Sequence, residues 1–127
     1  MNETLGELVS VNAVTEYIEQ HSEPDKERFV FAYTITITNN SSKSIKLMTR
    51  RWLITDANGE NSTVEGDGVV GEQPKILAGK SYTYSSGSVF KTPFGIMQGQ
   101  YLMIDDQGNE MIVEIPPFSL SLPHLVN

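Results

Sequence analysis

From Arg28 to Thr38 the chain alternates strictly: Phe29, Phe31, Tyr33, Ile35 and Ile37 stand between Arg28, Val30, Ala32, Thr34, Thr36 and Thr38. A period of two with β-branched and aromatic residues predicts a strand, because a helix would scatter those large side chains around its circumference. The threonine face predicts partial exposure, as in an antiparallel sheet rather than a doubly covered parallel one. Val9, Val11 and Ala13 open another strand that runs towards Tyr17 and Ile18, and the polar segment from His21 to Glu27, with Pro24 inside it, ends that strand. After Asn39, Asn40, Ser41 and Ser42, read as a turn, apolar residues recur at Ile45 and Leu47 and then change phase to Trp52 and Ile54. A one-residue change of phase predicts a β-bulge between Met48 and Arg51, which re-aims Arg50 and Arg51.

Turn signals divide the rest of the chain. Asn58-Gly59 predicts one hairpin, and Asp106-Gln107-Gly108-Asn109 predicts another between Tyr101–Ile104 and Met111–Ile115. Tyr82 and Tyr84 mark a strand after the turn Leu77-Ala78-Gly79-Lys80. Pro116 and Pro117 remove two ladder donors, so the last strand belongs at a sheet edge. Strands at hairpin spacing without crossover helices predict an all-β, antiparallel two-sheet sandwich of the immunoglobulin or fibronectin type III sort, with Trp52 as an inter-sheet anchor. The chain reads as one domain over 1–127, its ordered core about 8–122.

Composition narrows the chemistry. Hydrophobic residues at 39% and charged residues at 20% place the 127-residue chain among globular domains with a single core. It has no cysteine, which excludes disulfides, thiol nucleophiles and cysteine-based metal sites. A net charge of -7 opposes binding to nucleic acid and anionic membranes. Met1-Asn2-Glu3-Thr4 lacks the basic and apolar regions of a signal peptide, and no apolar run approaches the ~20 residues of a membrane span, so a cytoplasmic protein is expected.

Gly66-Asp67-Gly68-Val69-Val70-Gly71 spells the GxGxxG of dinucleotide loops. That motif works where a helix leaves it and offers amides to a pyrophosphate; here Pro74 follows, and Glu65, Asp67 and Glu72 surround the supposed cradle. These three carboxylates are instead the candidate ligands of a hard cation. Neither Asp56–Glu60 nor Asp105–Glu110 has EF-hand length. The only histidines, His21 and His124, fall in loop and tail, and Ser85-Ser86-Gly87-Ser88 lacks a nucleophile elbow, so no catalytic residue and no cofactor are expected. Arginine and aromatic residues dominate interface energetics, which makes Arg50, Arg51 and Trp52 at the bulge, and Thr92-Pro93-Phe94-Gly95 in a loop, candidates for partner binding. Homodimerisation through a sheet edge is a further expectation.

The ordered blocks RFVFAYTITITNNS (28–41), TRRWLITDANG (49–59), GDGVVGEQP (66–74), YTYSSG (82–87), TPFGIMQGQYLM (92–103) and IPPFSL (115–120) closely resemble the bacterial ApaG family, from about Val9 to Leu122. The resemblance implies a fibronectin type III-like sandwich in a cytoplasmic protein associated with cobalt tolerance and magnesium homeostasis, of unestablished molecular activity. It also implies protein recognition, since related domains occur in an F-box protein and a DNA-polymerase-interacting protein. The family's signature positions correspond to Gly66, Gly68, Gly71, Gln73 and Pro74, with Thr92, Pro93 and Gly95 in a second loop. Ala78 stands where the family usually has proline, and Ser88 where cysteine is common. A non-enzymatic binding module with a protein partner is the function expected. The alternative is a sensor for a divalent cation or phosphate compound built on Gly66–Gly71, and a nucleotide-acting enzyme using Glu65 or Asp67 is a third reading.

Overall fold

The computed structural model describes residues 7–123, so the readings of Met1–Thr4 and His124 lie outside the described residues. Eight strands follow one another: β1 (Val9–Tyr17), β2 (Phe29–Asn39), β3 (Ile45–Asp56), β4 (Asn61–Asp67), β5 (Lys75–Ile76), β6 (Ser81–Phe90), β7 (Phe94–Asp105) and β8 (Glu110–Ser121). They form a 3-stranded sheet, β1-β2-β6, facing a 5-stranded sheet, β4-β3-β7-β8, with β5 paired to β3. Every pairing is antiparallel. The architecture is the immunoglobulin/fibronectin type III-like sandwich that the alternation predicts. Two short 3-10 turns, Glu19–His21 and Pro24–Lys26, occupy the polar segment between β1 and β2.

The alternation in β2 is read out residue by residue. Phe29, Phe31, Tyr33, Ile35 and Ile37 are buried, and the intervening residues are half-buried. On the outer face, Thr34, Thr36 and Thr38 bond the hydroxyls of Ser85, Thr83 and Ser81 on β6 at 2.8, 3.1 and 2.9 Å, a cross-strand ladder that fixes the register. Between the sheets, Tyr33, Trp52 and Phe118 pack with ring centroids 5.7 to 5.9 Å apart. Trp52 is 3% exposed, as its role of inter-sheet anchor requires. Side chains this deeply buried each contribute about 1.5–3 kcal/mol relative to exposure.

The predicted bulge is present in β3. Leu47 pairs with Met103 and Thr49 with Leu102, so Met48 is the unpaired extra residue. After it, Arg50 and Trp52 share the inward row, with Tyr101 opposite Arg50, while Arg51 falls on the outer row. The turn read over Asn39 to Ser42 begins one residue later. Asn39 is the last residue of β2 and is 0% exposed. Its amide donates to the carbonyls of Lys43 (2.7 Å) and Ile76 (3.0 Å), and its Oδ1 accepts from the backbone N–H (3.0 Å) and hydroxyl (2.6 Å) of Ser41. This buried amide closes the β2–β3 corner with every bonding group used.

The four outer strands differ in how they end their sheets. β1 and β8 approach each other, with the Thr15 hydroxyl 3.3 Å from the Ser119 carbonyl, and β8 carries the two prolines expected at an edge. β4 bears Glu65 and Asp67. β6 has neither proline nor charge in its 10 residues and is paired only to β2 among the described residues.

Candidate binding site at the open side of the sandwich

β6 and the segment after β4 flank a gap between the sheets. Gly68 to Glu72 closes it from one side as a tight hairpin: Val69 and Glu72 exchange backbone bonds of 2.8 and 2.9 Å across Val70 and Gly71. Val70 has φ 49 and Gly71 φ 80, the pair of positive angles that a type I′ turn requires. Val69 drives its side chain into the core at 1% exposure. The β3 bulge holds the segment down, because the Met48 carbonyl accepts both the Gly68 N–H and the Gln73 side-chain amide at 2.9 Å. Leu47 donates its N–H to the Pro74 carbonyl at 3.0 Å.

Arg50 crosses this segment from the inward row. Its Nη1 donates to the carbonyls of Asp67 (3.0 Å) and Gly68 (2.9 Å). To reach them the guanidinium lies flat over Gly66, its cross-strand partner, where a Cβ would stand 2.8 Å from Nη1. A Cβ on Gly68 would run into the Glu72 carbonyl. The glycines of GxGxxG thus give passage to Arg50, allow a close backbone approach and complete a turn. No helix follows them. The exchanged amides of the hairpin are consumed internally, which removes the dinucleotide geometry that the spelling evokes.

The resulting mouth has a volume of about 290 Å³ and is bordered by Arg50, Asp67, Tyr33, Val70, Tyr84 and Ser86, with Trp52 beneath. On its floor the hydroxyls of Tyr84 and Tyr101 lie 2.5 Å apart. Burial pushes the Tyr84 hydroxyl up to about 12, and burial likewise raises that of Tyr101, next to Tyr84. Tyr101 is 0% exposed whereas Tyr84 borders the mouth. The pair is satisfied when Tyr101 donates to Tyr84 and Tyr84 turns its own O–H to the mouth. Strand periodicity places Tyr84 inward but cannot show that its hydroxyl meets that of Tyr101. Neither residue, nor Ser86, was therefore legible as part of a site.

The remaining candidates separate. Arg51 points away from Arg50 and pairs with Glu65 at 3.1 Å, both side chains more than half exposed, a surface ion pair of small energetic weight. Arg50, Arg51 and Trp52 are therefore not one cluster: Arg50 reaches the mouth, Arg51 the outer face, and the Trp52 ring the core. A larger, open depression of about 530 Å³ lies on that outer face beside Arg51, Gln98, Gln100, Glu114, Pro116 and Pro117. It has no sealed wall, and its one arginine, Arg51, is already paired with Glu65. The carboxylates of Glu65, Asp67 and Glu72 do not gather, because β4 holds the first two and the hairpin the third, and among the described residues no three His, Asp or Glu converge on a metal position.

The second loop sits six residues further along β3, about 20 Å from Arg50 at the rise of an extended strand. Gly95 pairs with Asp56, and the Thr92 hydroxyl donates to the Phe94 carbonyl (2.7 Å) while accepting the Ala57 N–H (3.1 Å). Pro93 accepts from Leu122 at 3.3 Å, and a Cβ on Gly95 would strike the Phe90 ring. Thr92 to Gly95 form a joint between hairpins, with Phe94 partly exposed. His21 lies exposed in a 3-10 turn, and no helix of the described residues is long and apolar enough to cross a membrane.

Comparison with known proteins gives the family. The family model of the ApaG domain matches residues 19–105. The chain belongs to the ApaG family. It is 60% identical over 119 residues to Protein ApaG of Vibrio cholerae, covering 94% of each chain, and 50% identical over the same span to Protein ApaG of Photobacterium profundum. Among solved structures it is similar to an X-ray structure of a Northeast Structural Genomics Consortium target, with TM-score 0.91, 49% identity and coverage of 97% of this chain and 93% of that one. The putative ApaA protein from Bordetella pertussis follows at TM-score 0.88 and 36% identity, with coverage of 91% and 94%. Family membership brings no established molecular activity with it.

Proposed function

We propose that this ApaG-family chain is a non-enzymatic recognition module that takes an extended segment of a partner protein along β6. The observation that carries the reading is β6 itself, 10 residues without charge or proline and with one side unpaired among the described residues. Such an edge adds a strand through backbone hydrogen bonds, and alternate side chains of the added strand supply specificity. The other three edges are guarded by proline, by carboxylates, or by the approach of β1 to β8. The mouth next to β6 receives inward side chains of the added segment. A second copy of the chain is the rival occupant, opposed by repulsion between two chains of net charge -7. The proposed setting is the cytoplasm. The family's association with cobalt tolerance and magnesium homeostasis then runs through the partner rather than through ion ligation by Glu65, Asp67 and Glu72.

The test is hydrogen exchange on the complex formed with a partner captured from native lysate. New protection concentrated in Ser81–Phe90 is the expected result, and protection confined to β1 or β8 overturns the reading. A thermal-shift screen with magnesium, cobalt and inorganic phosphate is expected to leave the melting temperature unchanged, since a ligand of the folded state must raise it. A rise that disappears in Asp67→Asn would restore the sensor alternative.

A further inference from the structure

Arg50 is a partly buried cation on the inward row of a sandwich, in a chain with 16 acidic residues, yet among the described residues no carboxylate pairs with it. Only Nη1 is engaged, by two backbone carbonyls. The Nε and Nη2 side of the guanidinium has no protein acceptor among the described residues. Partial burial of a cation costs solvation that two neutral carbonyls repay incompletely.

We infer that the mouth formed by Arg50, Tyr84 and Ser86 is a receptor for a single carboxylate, carried by an aspartate or glutamate on the inward row of the segment added to β6. The inference rests on the strand-addition reading above. A guanidinium edge with two parallel N–H donors matches a carboxylate in fork geometry, and the Tyr84 O–H and Ser86 hydroxyl supply further donors from the β6 side. Tyr84 and Ser86 share one row of β6, so the next strand outward places its own alternate side chains against the same gap. At about 290 Å³ the space lies at the lower bound of pockets that hold small molecules and suits one side chain. The net charge of -7 discriminates against polyphosphates, which concentrate several charges, more than against one carboxylate. β6 has no acidic residue, so a second copy docking β6 against β6 brings no carboxylate to Arg50.

The probe is a blocked pentapeptide of alternating threonine and valine with a central glutamate, compared with its glutamine counterpart by titration followed through backbone amide shifts. The glutamate peptide is expected to bind about five- to tenfold more tightly, with the difference abolished in Arg50→Gln. Equal binding of both peptides overturns the carboxylate site and leaves strand addition standing. Shifts in neither case overturn strand addition at β6, and the site is then decided by a second variant. Ser86→Glu tethers a carboxylate at the mouth and is expected to raise the melting temperature in the native background and lower it in Arg50→Gln; the same change in both backgrounds overturns the site. Inorganic phosphate at equal concentration is expected to leave the Arg50 side-chain signals in place, and displacement of the glutamate peptide by phosphate overturns the selection for a carboxylate. Sedimentation showing a dimer that Ser86→Glu dissociates would assign the edge to a second copy and overturn the proposal.

Discussion

Arg50 and Gly66 face each other across β3 and β4, and the absence of a side chain at Gly66 is what lets the guanidinium reach the carbonyls of Asp67 and Gly68. Gly66→Ala pushes the flexible end of Arg50 aside and is expected to cost about 1–2 kcal/mol through the weakened bonds. In an Arg50→Ala background the same change is expected to gain about 0.5 kcal/mol, because alanine restricts the unfolded chain more than glycine does. Urea unfolding of the double-mutant cycle checks the change of sign, and an equal cost in both backgrounds refutes the relationship.

The two buried hydroxyls on the mouth's floor are unequal. Tyr84→Phe strands the hydroxyl of Tyr101, which is 0% exposed, and is expected to cost about 1–3 kcal/mol. Tyr101→Phe leaves Tyr84 able to use the mouth and is expected to cost less than about 1 kcal/mol. The ionisation of Tyr84 is raised from 10.0 to about 12, so the unfolded chain loses that proton first as the solution becomes alkaline. Stability therefore holds below pH 10 and falls from there towards 12. Chemical unfolding measured across that interval is expected to show a shallower fall in Tyr84→Phe.

Val70 holds φ 49 with a β-branched side chain that is 63% exposed, so its packing offsets little of the strain. Val70→Asn, a residue that tolerates the left-handed region, is expected to stabilise the chain by about 1 kcal/mol. A lowered melting temperature would refute the strain at Val70.

Asn39 uses both amide hydrogens and its carbonyl oxygen in bonds closed off from water. Asn39→Ala is expected to cost about 2–4 kcal/mol, and Asn39→Asp at least as much because a carboxylate would confront the carbonyls of Lys43 and Ile76. Thermal melts of the two variants check the order.

Periodicity carried most of the fold. The large residues of β2, the phase change at Met48 and the paired prolines of β8 each have a local signature, because a strand's two faces and its ladder are set by neighbouring residues. The mouth has none. Arg50, Gly66 and Tyr84 lie far apart in the chain and meet only through pairing and sheet packing, which one sequence does not spell out. Asn39 misled for the opposite reason: asparagine is a turn former, and a buried corner uses the same amide to replace backbone partners. The GxGxxG spelling is discounted already by Pro74 and the neighbouring carboxylates, and three unrelated demands on glycine happen to fall at those intervals.

Met48 gives the molecule a separable part. One inserted residue moves the inward row of β3 from odd to even positions and frees a carbonyl that anchors Gly68 and Gln73. A chain lacking Met48 would regain an uninterrupted β3–β7 ladder with Leu47, Arg50 and Trp52 still on one row, yet the hairpin would lose the carbonyl that holds both Gly68 and Gln73. Folding and recognition would then come apart in a single deletion, leaving an intact sandwich whose docking face has been unfastened.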